Sequence, residues 1–479
     1  MVTIQVLYSH VEVFPYKQGD QPRLEKMFSR YDTITHRYVP IGYYIENDIL
    51  YLPRGVNMTL IQKLFNSAPA YIHEPDKFTK FEAHPILLEP RSKIQLEAID
   101  FLTHQGNFKK GMYCSQLGLN LDTGDGKTYC MLNAILQMRK KAIIITHKQK
   151  LKEQWIETAL KISDVDVSEL CDITGSEMMD LLIDGKVSAN IYFVNHQTIS
   201  SYARIHGWQA VHEFFKKIEV GVKVVDESHK FFENSLMIDY FSNIETSYYL
   251  TATFTRSDYK ESYIFKNAYS NMYRFGEETM DYEEKRKHII FIVVYYHSTP
   301  TLQQKSKITT NHGFSSYRYI DYALSEETQS MMRVLEEILR KTNNVEGKTL
   351  IISPKIESVE YIASEVRKLT NKSVGTVHSK NTLDGNHESF NCDIISSTIK
   401  SIGEGDDIKG LRILINLEPI ASRLLADQLR GRLREYSSDA DTYMFYPVDT
   451  AIKESAEFVK RIMPVMKKKC KEIIITHIN

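Results

Sequence analysis

Cysteine is sparse and unpaired in this chain. Five residues (Cys114, Cys130, Cys171, Cys392, Cys470) are scattered through 479, with no C-x-x-C pair. That argues against a zinc site and a disulfide framework and points to a reducing compartment, the cytoplasm. No apolar run approaches about 18 residues, so no membrane span is expected. The opening MVTIQVLYSHVEVF alternates like a strand and lacks the basic-then-apolar form of a signal peptide. Low-complexity segments and short repeats are missing too. Neither sign of charge dominates: the net charge is −1, so a nucleic-acid partner would be held by local patches and not by a global field.

What is present is an ordinary globular composition, 42% hydrophobic and 25% charged. The length suits roughly three domains of about 150 residues each. Residues 118–129, GLNLDTGDGKTY, organise the rest. Apolar residues lead into Thr123, Gly124, Asp125, Gly126, Lys127 and Thr128, and a helical pattern follows. Strand, glycine-rich loop and helix come in the order a phosphate-binding loop requires. Gly124 and Gly126 let backbone N–H groups turn inward toward phosphate oxygens at a helix N-terminus, where the dipole favours an anion. Lys127 would reach the β- and γ-phosphates of ATP, and the Thr128 hydroxyl would sit on Mg²⁺. Leu121 stands where the first glycine of the full pattern would be.

Residues 1–85 form a block without nucleotide motifs, with strands at IQVLYSHVEVF and ILYLPRG and a helix at TLIQKLFNSA. Interleaved Tyr31, Tyr38, Tyr43, Tyr44, Tyr51 and Arg23, Arg30, Arg37, Arg54 can stack on bases and hold phosphates, or simply pack a small sheet. HEPDKFTKFEAHP (73–85) is polar with two prolines and reads as a linker. Residues 86–282 alternate helices with strands at KAIIIT (141–146), NIYFV (190–194), VKVVDESH (222–229) and YYLTATF (248–254). Residues 283–479 repeat that alternation with KHIIFIVVYY, TLIIS, CDIIS, LRILIN and TYMFYP, then a helical, basic tail containing Lys467, Lys468, Lys469 and Lys471. The expected fold class is α/β, two parallel-sheet lobes behind a small α+β N-terminal domain. Ligands then sit beyond the strand C-termini, where every polar motif of the first lobe falls.

VDESH (225–229) ends an apolar strand about a hundred residues after the phosphate loop. Asp226 at that end can hold Mg²⁺, and Glu227 can orient and activate the attacking water. In QLRGRLR (428–434) a buried arginine near a γ-phosphate would stabilise transition-state charge; the alternative is a basic nucleic-acid patch, Arg430 included.

These motifs together resemble the superfamily-two helicases. Gln95 is similar to the adenine-reading position, LDTGDGKT to motif I, THKQKLKEQW to motif Ia, DESH to motif II, TAT (251–253) to motif III, TLIISPK to motif IV, TIKSIGEGDD to motif V and QLRGRLR to motif VI. The resemblance spans residues 91–434 in the family's order and implies two RecA-like lobes that share one ATP. It implies that Gln428 and either Arg432 or Arg434 serve the γ-phosphate, since the last arginine stands one place early, and that Glu404, Gly405 and Asp407 couple nucleotide to strand. Lys148, Thr198, Lys355, Thr398 and Lys400 would contact a strand, mainly through phosphates. DESH in place of DEAD, the N-terminal block and the QW after motif Ia look like the phage branch-migration helicases of the UvsW type, relatives of the XPB-like repair helicases. The implied activity is ATP-driven translocation on single-stranded, forked or branched DNA, in a host cytoplasm if phage-encoded, beside a single-strand-binding or recombination protein. An RNA helicase, the motor subunit of a nuclease or restriction complex, and a binding protein with a degenerate ATPase are the competing readings.

Overall fold

The run AIIIT has no polar face, and it forms a strand, Ala142–Thr146, buried on both sides. Its side chains divide between two cores by the two-residue period of a strand: Ile143 and Ile145 join one, Ala142 and Ile144 the other. Seven such strands make one sheet, in the order Leu170–Ile173, Ile191–Asn195, Ala142–Thr146, Val222–Val225, Thr246–Thr251, Gln116–Asn120 and Tyr273–Phe275. Every pairing in it is parallel, so each connection crosses a face, and helices cover both.

The computed structural model describes all residues except 1, 33–34, 73, 106–107, 110–111, 114, 122–123, 229–230, 252–258, 277–286, 311–312, 403–407, 435, 438–439 and 479. It divides into two units, Met1–Met280 and Asp281–Asn479. The second unit holds another seven-stranded parallel sheet, ordered Val374–Val377, Ile394–Ser397, Lys348–Ile352, Leu411–Asn416, Thr442–Asp449, Ile289–Tyr296 and Glu472–His477. Both lobes are RecA-like, as the sequence predicts. One detail differs. The tail is helical only through Lys453–Lys469; beyond it EIIITH turns back to pair with Ile289–Tyr296. Its β-branched residues find an open sheet edge there, and a pairing across some 180 positions carries no local sequence signal.

The N-terminal block is a five-stranded, mostly antiparallel sheet, and it belongs to the first unit by packing. Val11, Leu50, Leu52 and Val56 lie in the same core as Ile145, Tyr240, Phe265 and Tyr269 of the parallel lobe. Gly55 donates its N–H to the carbonyl of Ala268 at 3.0 Å, and a β-carbon there would stand 2.3 Å from that oxygen.

The stretch read as a linker is a strap. Thr79, Phe81 and Leu87 donate backbone N–H groups to the carbonyls of Glu219, Arg139 and Ile162 at 2.9, 2.9 and 2.7 Å. Those three residues end the helices Trp208–Ile218, Lys127–Met138 and Gln149–Ile162. Terminal carbonyls have no partner inside their own helix, so an extended chain lying across three ends satisfies them together. Phe81 drops into the core between them at 6% exposure. The polar surroundings of Phe78, Phe81 and Leu87 hide this anchoring in the sequence. Phe81→Ala should cost about 3 kcal/mol by leaving a cavity, and lower the first transition in a calorimetric scan; an unchanged transition would mean that the strap contributes nothing to the fold.

Candidate active site

Two backbone turns build the phosphate loop. Gly124 and Gly126 have φ of 96° and 88°, a region that penalises any β-carbon, and the helix Lys127–Met138 starts directly after them. Gly126 is constrained twice, because a β-carbon would lie 2.4 Å from the side-chain nitrogen of Gln95. Gln95 is buried and fixed from both ends: its amide donates to the Asp125 carbonyl at 2.8 Å and accepts the Arg91 N–H at 2.8 Å. One amide hydrogen and one oxygen lone pair remain for a base edge. Lys127 turns its ammonium to the Leu121 carbonyl at 2.9 Å, so the residue replacing the first glycine holds the lysine through its backbone. Thr128 sits half-buried in the first helical turn. Thr123 lies outside the described residues.

Asp226 ends the buried strand Val222–Val225, on the same sheet edge. Its Oδ2 accepts the indole N–H of Trp155 at 2.9 Å, and its Oδ1 accepts the N–H of Glu227 at 3.0 Å. Burial first, and the neighbouring Glu227 second, push the Asp226 carboxyl above its usual range; Trp155, Lys127 and His147 oppose that. Glu227 has φ of 49°, a left-handed conformation a carboxylate residue seldom adopts, here locked by the Asp226 bond before it and by the Ser228 N–H to Leu250 carbonyl bond after it. A buried carboxylate beside a second one is a site whose charged form gains from a cation. Among the described residues no three acidic, histidine or cysteine side chains gather as a metal cage. Mg²⁺ does not require one, since it takes one or two protein oxygens together with phosphates and water, and Asp226 and the Thr128 hydroxyl would supply such oxygens. Trp155, noticed in the sequence only as part of QW, is the positioning residue that spacing alone does not reveal.

The expected strand contacts of this unit follow neighbouring strands. Lys148 is exposed just after Ala142–Thr146, and Thr198 lies in the helix that follows Ile191–Asn195. Thr146 donates its hydroxyl to Asn195 at 2.7 Å, tying the two loops together. Lys152, four residues beyond Lys148, is buried at 1% exposure, paired with Asp172 and donating to the Thr174 hydroxyl at 3.2 Å.

In the second unit the helix Arg423–Arg430 carries Gln428, half-buried. Arg430 is buried and donates to Asp427 at 2.8 Å, and Lys469 from the basic tail bonds the other oxygen at 2.6 Å. That pairing takes Arg430 and Lys469 out of any surface patch. Arg432 donates to the Ile402 carbonyl at 3.3 Å, beside motif V, whereas Arg434 is exposed. Thr398 is buried, sharing its hydroxyl with Ser401 at 2.7 Å; Lys400 is exposed; Lys355 pairs with Asp321. Glu404, Gly405 and Asp407, like His229 and Thr253 of motifs II and III, lie outside the described residues.

Residues 89–256 match the family model described as Type III restriction enzyme, res subunit. A putative helicase, 161L of invertebrate iridescent virus 6, is 26% identical over 432 residues, covering 84% of each chain. Among solved structures, S. cerevisiae Dbp5 bound to RNA and ADP BeF3 aligns with 81% of this chain and 89% of its own, with a TM-score of 0.52 at 14% identity. T4 UvsW aligns with 100% of this chain and 99% of its own at 14% identity, with a TM-score of 0.38. No helix among the described residues is long and apolar enough to cross a membrane.

Lys127→Ala should abolish ATP hydrolysis with the fold intact, and Glu227→Gln should bind ATP yet turn it over slowly. Normal turnover in the first, or no nucleotide binding in the second, would remove the role assigned here. Arg432→Ala and Arg434→Ala should each reduce turnover in one ATPase assay, and the variant that lacks a transition-state finger should lose on the order of 10³-fold or more. Normal hydrolysis in both variants would exclude motif VI from the chemistry.

Proposed function

We propose that this superfamily-two helicase, an ATP-dependent motor, acts on DNA, moving along a strand to unwind or branch-migrate forks and junctions. The observation that carries a nucleic-acid substrate held beside the motor is the surface of the N-terminal sheet domain. Its hairpin Ser29–Asp32 and Arg37–Pro40 leaves Tyr31 and Tyr38 47% and 49% exposed, paired edge to face at 5.3 Å between ring centroids. The Lys26 ammonium lies 5.1 Å from the centre of the Tyr38 ring, and Arg37 is exposed beside it. Aromatic rings with flanking cations can take a base on their faces and a phosphate alongside. Since this domain shares a core with the first lobe, it would hold branched DNA as one body with that lobe's phosphate loop. DESH in motif II and a family described after a restriction enzyme agree with DNA.

In this reading ATP is cradled by the amides from Gly124 to Thr128, and Lys127 exchanges the Leu121 carbonyl for phosphate oxygens. Glu227 orients the attacking water and takes its proton. Asp226 and Thr128 would hold Mg²⁺, which neutralises phosphate charge when bound. Gln428, with Arg432 or Arg434, and the motif V residues Gly405 and Asp407 complete the nucleotide cycle. Lys148, Thr198, Lys355, Thr398 and Lys400 hold strand phosphates, so binding is indifferent to sequence and sensitive to salt. A single-strand-binding or recombination protein is the partner such a substrate brings. A fold shared with an RNA-bound helicase keeps an RNA-directed motor as the second reading.

An ATPase assay with single-stranded, duplex, forked and four-way DNA beside RNA decides between them. Forked and four-way DNA should stimulate most. Stimulation by RNA alone would overturn the DNA reading. Tyr31→Ala with Tyr38→Ala removes two exposed rings and leaves the shared core in place. It should weaken fork and junction binding by about tenfold or more at matched salt, with basal ATPase preserved. Junction binding as tight as in the unaltered protein would make the block a scaffold only.

A further inference from the structure

The strands Ile191–Asn195, Ala142–Thr146 and Val222–Val225 are neighbours, in that order. A ring stands just beyond each C-terminal end. His147 follows the middle strand, His196 follows the outer one, and Phe231 comes five residues after Asp226. Phe231 stacks on both imidazoles: its centroid is 5.5 Å from His147 and 5.7 Å from His196, with interplanar angles of 31° and 29°. Burial, and then the charge of His147, lower the His196 pKa to about 4, so this ring is neutral near pH 7. Its Nδ1 has no hydrogen-bond partner among the described residues.

Core packing does not account for Phe231. The next residue, Phe232, does that work at 1% exposure against Phe265 and Tyr269, whereas Phe231 keeps 40% of its surface in solvent. Each imidazole it touches opens a segment that carries an expected strand contact, Lys148 after His147 and Thr198 after His196. Those two segments are already bonded to each other through Thr146, Asn195 and Gln149. Phe231 adds the third member, the chain that carries Asp226 and Glu227.

We propose that the His147–Phe231–His196 stack couples the strand-binding loops of the first lobe to the carboxylates of motif II, with Phe231 as the positioning residue. When phosphates engage Lys148 and Thr198, the two imidazoles shift as a pair, and the ring between them passes that shift to the segment that follows Asp226 and Glu227. The inference rests on the reading of this chain as a nucleic-acid-stimulated ATPase.

The test compares the full-length protein with Phe231→Leu and Phe231→Tyr, measuring ATPase rate against the concentration of a single-stranded DNA oligonucleotide. In Phe231→Leu the ratio of stimulated to basal rate should fall about fivefold or more, with the basal rate, the ATP KM and the melting temperature near those of the unaltered protein. Phe231→Tyr, which keeps a stacking ring, should retain the ratio. A retained ratio in Phe231→Leu would reduce the stack to packing. Loss of oligonucleotide affinity with the same plateau would make Phe231 a strand contact instead, and an equal fall in basal and stimulated rates would make it a prop for the nucleotide site; either overturns coupling. Failure of every DNA and RNA to stimulate the unaltered protein would overturn the functional reading itself, a result distinct from any change confined to the variants.

Discussion

Asp226 is a carboxylate held at 7% exposure at the end of an apolar strand, and the first lobe is arranged to make that tolerable. A buried charge needs partners, and this one has the Trp155 indole and the Glu227 amide, with Lys127 near enough to act on it. Trp155 in turn belongs to the helix that starts just beyond the strand Ala142–Thr146, so motif Ia and motif II are joined through one hydrogen bond. The left-handed turn at Glu227 follows from the same bond. A left-handed conformation at a carboxylate residue persists because its neighbours on both sides are fixed.

The opposite edge of the sheet solves the complementary problem. The helices Lys127–Met138, Gln149–Ile162 and Trp208–Ile218 end at that side, where their last carbonyls need partners from outside the helix. The strap from Thr79 to Leu87 bonds one at each end and carries the chain from the N-terminal sheet into the first lobe. Backbone polar groups at these three ends are thereby satisfied.

The second lobe treats its cations in the same economical way. Asp427 binds Arg430 and Lys469 together, which pins the motif VI helix to the C-terminal helix by a buried network. Of the arginines that follow, Arg432 is half-buried and bonds the Ile402 carbonyl, and Arg434 is exposed.

Much of this was legible in the sequence, because it depends on short spacing. Strand, glycine loop, Lys127 and helix are contiguous; an apolar run ending in Asp226 and Glu227 is contiguous as well; and periods of two and 3.6 residues mark strands and helices wherever they occur. The two parallel lobes follow from their alternation. What spacing cannot express is contact between distant segments. The partners of Gln95 and Trp155 lie 30 and 71 positions away. Lys152 and Arg430 look like surface cations until Asp172 and Asp427 are brought beside them, and a polar linker becomes a strap only when three helix ends line up beneath it. Chain order sets which local structures form and which side chains can do chemistry. Folding sets which polar groups are already consumed by holding the chain together, because burial and hydrogen bonding depend on neighbours in space, which chain order does not encode.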